Sequence, residues 1–347
     1  MPLTVGEARA VARTWVLAEA AVSPAIVGAF FHGSMTAQPD DAAVPPSSDV
    51  DVLVVVEDEA EWSKPGKFRH HGVLLEVSPL PSAQVASAES VLGQYNLAGS
   101  FRFPGVIYDP TGRLSAIQDV VGREFARRIW VRQRCENARD KVIGGFPPRE
   151  GAPLHEAVNT WLFPAGVTTH ILLVAGLRNP TVRKRYQATK DLLADYGQLA
   201  IYGPLLDLLG AREITERQAM GHLAALSRAF DAARAAIRSP FVFAADISAV
   251  GEPIAIGGTA EMIAEGLHRE AMFWLTATFG RCLQVLHTDA PRTDLAPFDR
   301  DFRVLLADLG IAGFADLGQR RAATLAALPA IWAVAEAIMA ANPEITE

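Results

Sequence analysis

Cysteine is nearly missing from these 347 residues, with Cys135 and Cys282 the only two. Two thiols cannot build a disulfide framework and fall short of a zinc cluster, so their plain reading is reduced thiols in a cytoplasmic protein. Cationic charge is also short: 32 lysines and arginines face 39 acids, a formal net charge of −7. Proteins that grip a long nucleic acid show a basic surface, because phosphate contacts dominate that affinity. The deficit disfavours a polynucleotide partner and suits a small, cationic acceptor. The N-terminus carries Glu7, Arg9, Arg13 and Glu19 among its apolar residues, which marks an amphipathic helix and not a signal peptide. The most apolar late stretch, 325–341, is interrupted by Pro329 and Glu336 and reads as a packed terminal helix; no membrane span is expected. Internal repeats are absent, and alanine richness is the only compositional bias.

What is there falls into two halves. Residues 4–21 have a helical stripe of Ala8, Val11, Ala12, Trp15 and Leu17. Strands follow at 25–31, from Asp49 to the acidic turn Glu57-Asp58-Glu59, and across Glu76 to Pro79 and Pro81. A helix over 82–97 and a last strand over 103–108 complete a small mixed sheet covered by helices. Beyond about residue 115 the strand signals vanish. The rest is rich in Ala, Leu, Arg and Glu, with breaks at Gly144-Gly145, Pro147-Pro148, Asn179-Pro180, Gly203-Pro204 and Ser239-Pro240. The fold class is therefore α+β, with a sheet domain over 1–115 and an all-α helical bundle over 116–347. A helix over 127–141 leads into the bundle; Arg127, Arg128, Arg132, Arg134 and Arg139 spread around its axis as on a solvated helix, with a nucleic-acid contact as the alternative.

The chemistry concentrates between Phe30 and Val56. An apolar run ends in Gly33-Ser34, and a loop carrying Pro39, Pro45 and Pro46 leads to Asp49-Val50-Asp51 and a run of valines. Side chains alternate along a strand, so Asp49 and Asp51 share one face while Val50, Val52, Val54 and Val56 share the other. Paired carboxylates repel unless a cation lies between them, and a hard ion such as Mg²⁺, held by carboxylates and substrate phosphates, relieves that repulsion. Gly33 has no Cβ to keep a phosphate from the backbone, and Ser34 adds a hydroxyl donor. A third acid, Glu76, stands alone in Val73-Leu74-Leu75-Glu76-Val77, where a single charge is costly unless paired. The alternatives are solvated acids at an ordinary strand start, and for Glu76 an ion pair with an arginine elsewhere.

This pattern, His32-Gly33-Ser34 followed by Asp49-Val50-Asp51, resembles the nucleotidyltransferase superfamily of DNA polymerase β-like folds. The resemblance covers residues 1–115, and the helical half is similar only loosely to the C-terminal domains of aminoglycoside-type nucleotidyltransferases. It implies transfer of a nucleoside monophosphate, AMP from ATP or another nucleoside triphosphate, to a hydroxyl on a small acceptor. Asp49 and Asp51 hold two Mg²⁺ ions on this reading, Glu76 joins them or takes the acceptor's proton, and Gly33-Ser34 holds phosphates. Two alternatives stay open: a toxin-type or regulatory enzyme of the superfamily modifying tRNA or protein, and a nucleotide-binding module without turnover.

In the helical half, Asn179 is a good N-cap and Pro180 a good first residue for a helix. Three cations follow, Arg183, Lys184 and Arg185, at the end where the helix dipole is already positive. An anion there would relieve the strain, so Arg183, Lys184, Tyr186 and Lys190 are expected to meet the β- and γ-phosphates; the alternative is a solvated basic face. His268 and Glu270 are candidates for the acceptor pocket, with core packing the competing reading. His170 reads as a core histidine, and Trp161 and Phe163 as interdomain packing.

Overall fold

A computed structural model of the chain describes residues 2–145 and 151–347. The break expected at Pro147-Pro148 lies outside the described residues. The architecture is α+β, a five-stranded mixed sheet followed by a helical region. Two compact units emerge: Met1–Asn137 with Leu177–Pro180 and Asn342–Glu347, and Ala138–Gly176 with Thr181–Ala341.

In the first unit, helix α1 (Val5–Val22) begins at Thr4, whose hydroxyl accepts from the Glu7 N–H while its own N–H donates to the Glu7 carboxylate. That capping box satisfies two otherwise orphaned donors. Val5, Ala8, Ala12 and Val16 then form one buried stripe. The sheet has the order β3-β4-β2-β1-β5, from β1 (Ile26–His32), β2 (Val50–Val56), β3 (Gly66–His70), β4 (Val73–Pro81) and β5 (Val106–Tyr108). β2 and β4 run parallel, and the other neighbours are antiparallel. Val50, Val52, Val54 and Val56 of β2 are all buried on the face that α1 covers, with Phe31, Leu75 and Val77 beside them. Each buried valine is worth roughly 1.5–3 kcal/mol. That apolar face is what allows the opposite one to carry charges that repel.

Two expectations need correction in this unit. Strand β3 does not figure in the sequence reading; it forms because His71 and Gly72, both at positive φ, make a two-residue reversal into β4. The helix expected over 82–97 is also not continuous. It is a short 3₁₀ turn, Ser82–Val85, then α2 (Ala88–Leu92), restarted by a Ser87–Ser90 capping box.

The unit also runs past residue 115. α3 (Arg113–Glu124) buries Leu114, Ile117 and Val121, and α4 (Arg128–Ile143) sends Arg134 inward. Its guanidinium donates to the carbonyls of Leu92 and Phe125 and lies 4.1 Å from the Phe125 ring centroid, so this arginine is not solvated.

The second unit is helical: α5 (Leu154–Gly166), α6 (Thr168–Ala175), α7 (Arg185–Asp195), α8 (Tyr202–Leu209), α9 (Glu216–Ala236), α10 (Gly258–Ala264), α11 (His268–Asp289), α12 (Ala296–Asp308) and α13 (Phe314–Ala341). α11 is its spine, buried along nearly its whole length from Glu270 to Leu286, with α9 and α5 packed on it. Trp161 lines an apolar cavity of about 160 Å³ with Pro164, Phe314 and Leu317, and Phe163 meets Phe273 edge-on at 5.7 Å. Both aromatics therefore have their packing within this unit. Cys135 and Cys282 are buried and make no disulfide. Among the described residues two helical stretches, Leu154–Ala175 and Phe314–Ala341, are long and apolar enough to cross a membrane by length and composition; 78% of the most apolar window of the first is buried inside the protein, and 33% of that of the second.

Candidate active site

The backbone register of the sheet lines up the site. His32 pairs with Asp51, Asp51 with Glu76, and Glu76 with Lys67, across β1, β2, β4 and β3. Residues in register on adjacent strands project to the same face, so these four side chains form a row. Asp49, two residues before Asp51, joins them. One oxygen from each of Asp49, Asp51 and Glu76 lies within 4.8 Å of the others. The three expected acids are thus brought together, each partly buried, and can bind a metal ion.

Lys67 is the residue the sequence reading missed. Its side chain is only 7% exposed; its ammonium stands 3.0 Å from Asp49 Oδ2 and donates to Glu76 Oε2. The ion pair considered for Glu76 therefore exists, with a lysine from the neighbouring strand in place of a distant arginine. The one local hint was Gly72 just before the apolar run Val73-Leu74-Leu75, a glycine placed as at a turn between two strands.

One ammonium does not balance three carboxylates. At 4.8 Å, two like charges repel by on the order of 3 kcal/mol at an effective dielectric of 20. Asp51 shows the strain: burial first, then Asp49 and Glu76, push its carboxyl well above the usual range, against the opposing pull of Lys67. His32 is pushed the other way, down to about 4, by its removal from solvent, with Glu76 opposing. Its Nδ1 lies 2.6 Å from Ser100 Oγ, and the ring is neutral at physiological pH.

Gly33 ends β1 at φ 72°, and any Cβ there would overlap the Asp51 carboxylate. Glycine is required twice over, by the backbone angle and by the close approach. Ser34 follows, exposed, at the head of a 3₁₀ turn, Ser34–Ala37. That turn is braced: the Thr36 hydroxyl donates to the Gly33 carbonyl at 2.9 Å, and Asn179 Nδ2 donates to the Thr36 hydroxyl at 3.2 Å. The Arg9 guanidinium also binds the Met35 and Gln38 carbonyls and pairs with Asp40 at 2.7 Å. The donor chemistry fits a hard divalent cation, since three carboxylates with a surplus of negative charge are what such ions select.

Asn179 therefore braces the Gly33 turn and does not cap a helix. α7 begins at Arg185, not at Pro180, because the side chain that would cap it is bonded to Thr36 instead. Arg183 precedes the helix, its guanidinium close against Gly258, and the exposed Lys184 is the N-cap. Arg185 is buried, its guanidinium 3.8 Å from the Phe273 ring centroid. Tyr186 is 2% exposed, and its hydroxyl proton is held more tightly than usual by burial. Only Tyr186 and Lys190 of the expected stripe share a helical face, and Lys190 Nζ reaches to 4.0 Å from Glu270. Glu270 is itself 1% exposed and accepts a hydrogen bond from the Tyr202 hydroxyl at 2.6 Å. His170 is a core histidine, with Nε2 3.0 Å from the Thr181 carbonyl oxygen. No protein-family model matches the sequence, and no curated protein matches it.

Proposed function

We propose that the chain is a divalent-cation-dependent nucleotidyltransferase that acts in the cytoplasm. It moves a nucleoside monophosphate, AMP from ATP, to a hydroxyl on a small acceptor such as an aminoglycoside-like compound. The observation that carries this reading is the convergence of Asp49, Asp51 and Glu76 within 4.8 Å beside the Gly33 turn. In the reaction the acceptor's oxygen bonds to the α-phosphorus, the bond to pyrophosphate breaks, and the hydroxyl proton passes to the carboxylate set. Asp49, Asp51 and Glu76 would hold Mg²⁺, two ions on the fullest version of this reading, and the metal supplies charge neutralisation for the in-line displacement. Gly33 lets a phosphate approach the backbone, and exposed Ser34 offers it a hydroxyl. In the second unit's stripe Lys184 is exposed and Tyr186 is buried.

Lys67 favours a second reading, a nucleotide-binding module without turnover, because its ammonium already satisfies two of the acids. The test is pyrophosphate release with each of ATP, GTP, CTP and UTP, offered with hydroxylated small molecules, tRNA and protein extract in Mg²⁺. We expect release with ATP and a small acceptor, and its loss in Asp51→Asn with folding intact. Normal turnover by that variant overturns the catalytic role, and tight nucleotide binding with no release favours the second reading.

A further inference from the structure

We propose that Lys67 is a tethered counter-ion that competes with a divalent cation for Asp49 and Glu76, and so sets how tightly the acid cluster holds that cation. The proposal rests on the reading of the cluster as a cation site. Register fixes Lys67 directly beside Glu76 on β3, and its ammonium touches both Glu76 and, at 3.0 Å, Asp49. With 7% of its side chain exposed, Lys67 is largely withdrawn from water, and these carboxylates contribute to the solvation of its ammonium. A cation taking the same oxygens would sit within a few ångströms of the ammonium, and like charges at that range exclude one another. β3 is an edge strand, and its neighbour Phe68 anchors it on the other face against Trp15, ring centroids 5.1 Å apart. The lysine's flexible four-carbon stem can re-aim without disturbing that anchor.

A lysine that merely braced the fold would make a different prediction from one that competes. Removing a brace loosens the acids and weakens cation binding. Removing a competitor raises the local negative charge and strengthens it.

Free Mn²⁺ measured by electron paramagnetic resonance during titration gives the affinity directly, without turnover, for wild type, Lys67→Met and Asp51→Asn. Melting temperatures with EDTA and with Mn²⁺ accompany it. We expect Lys67→Met to bind Mn²⁺ at least tenfold tighter than wild type, to melt lower in EDTA, and to recover in Mn²⁺. Equal or weaker affinity overturns the proposal. If the methionine variant does not fold, Lys67→Gln carries the same expectation. Failure of both to fold even with Mn²⁺ also overturns it, since the cation then cannot take the lysine's place. Should Asp51→Asn lose binding while Lys67→Met is no tighter, only the role of Lys67 fails. Should no protein bind Mn²⁺, or Asp51→Asn bind undiminished, the cation site and the functional reading fall together.

Discussion

Each unit sets a lysine against buried or half-buried acid, three carboxylates in the first and one in the second, and the two differ in charge balance. In the first, Lys67 faces Asp49, Asp51 and Glu76 in a group that is only partly buried. In the second, Glu270 is 1% exposed, bonded to Tyr202 at 2.6 Å, with Lys190 at 4.0 Å. One acid against one lysine is neutral, and the hydrogen bond from Tyr202 to Oε1 offsets part of the cost of burying Glu270, whose Oε2 has no hydrogen-bond partner among the described residues. Among the described ion pairs one lysine meets these three acids, and Asp49 and Glu76 add to the burial that raises the Asp51 carboxyl. A sealed, balanced ion pair is a structural feature, whereas a partly open cluster with surplus charge is a candidate ligand site. Core packing, one of the two readings open for Glu270, is the one that charge balance favours.

The comparison should break first under acid. Burial holds His155 down to about 4 and His170 to about 3, both in the second unit. Unfolded, each takes up a proton near pH 6.5 that the folded state refuses. Their contribution to stability is therefore full above pH 6.5 and lost as pH falls towards 4, at up to roughly 1.4 kcal/mol per pH unit for each fully buried ring. His32 does the same in the first unit. Asp51 opposes it there: a raised carboxyl pKa favours the folded state at low pH, and that benefit is lost as pH rises through it. We expect the second unit to lose protection first between pH 6.5 and 4.5 in hydrogen exchange. Equal loss in both units would remove the distinction.

Substitution should give opposite signs. Glu270→Gln keeps an acceptor for Tyr202 but loses the charge, and should cost about 1–3 kcal/mol in urea unfolding. Asp51→Asn removes a carboxylate that its neighbours already resist, and should raise the unfolding midpoint in EDTA at pH 8. Shifts of the same sign would mean that charge surplus is not what separates the clusters.

The acids were legible from sequence and the lysine was not, for a local reason. Asp49, Asp51 and Glu76 interrupt runs of Val and Leu, so alternation assigns their face. Lys67 lies in Gly66-Lys67-Phe68-Arg69-His70, three of whose residues are basic and none β-branched, closed by His71-Gly72 where a type I′ turn usually shows Asn-Gly. Its strand exists because β4 offers it a partner, a tertiary cause that composition does not record. The same holds for Asn179. A good N-cap by type, it was recruited by Thr36, 143 positions away in sequence, and the helix started at Arg185 instead. The helical character of the second half was clear from its composition and breaks. Which of its cations face solvent was not, because Arg134 and Arg185 are buried against the rings of Phe125 and Phe273.

The smallest expected effect is the sharpest counterpart to Lys67. Lys190 is 41% exposed and stands 4.0 Å from Glu270, too far for a short hydrogen bond and well enough hydrated to lose little on removal. Its ammonium also lies 5.8 Å from the Tyr202 ring centroid, which adds a weak attraction. Lys190→Met should therefore cost about 0.5–1 kcal/mol, because Tyr202 still donates to Glu270 and the half-exposed ammonium gives up little on removal. No divalent cation should recover that loss: a single sealed carboxylate offers neither the ligand number nor the access that such ions need. Measured beside Lys67→Met in EDTA and in Mn²⁺, the two lysines should separate, one loss reversed by the ion and the other indifferent to it. Recovery of the Lys190 variant by Mn²⁺ would place a second cation site at Glu270 and dissolve the contrast.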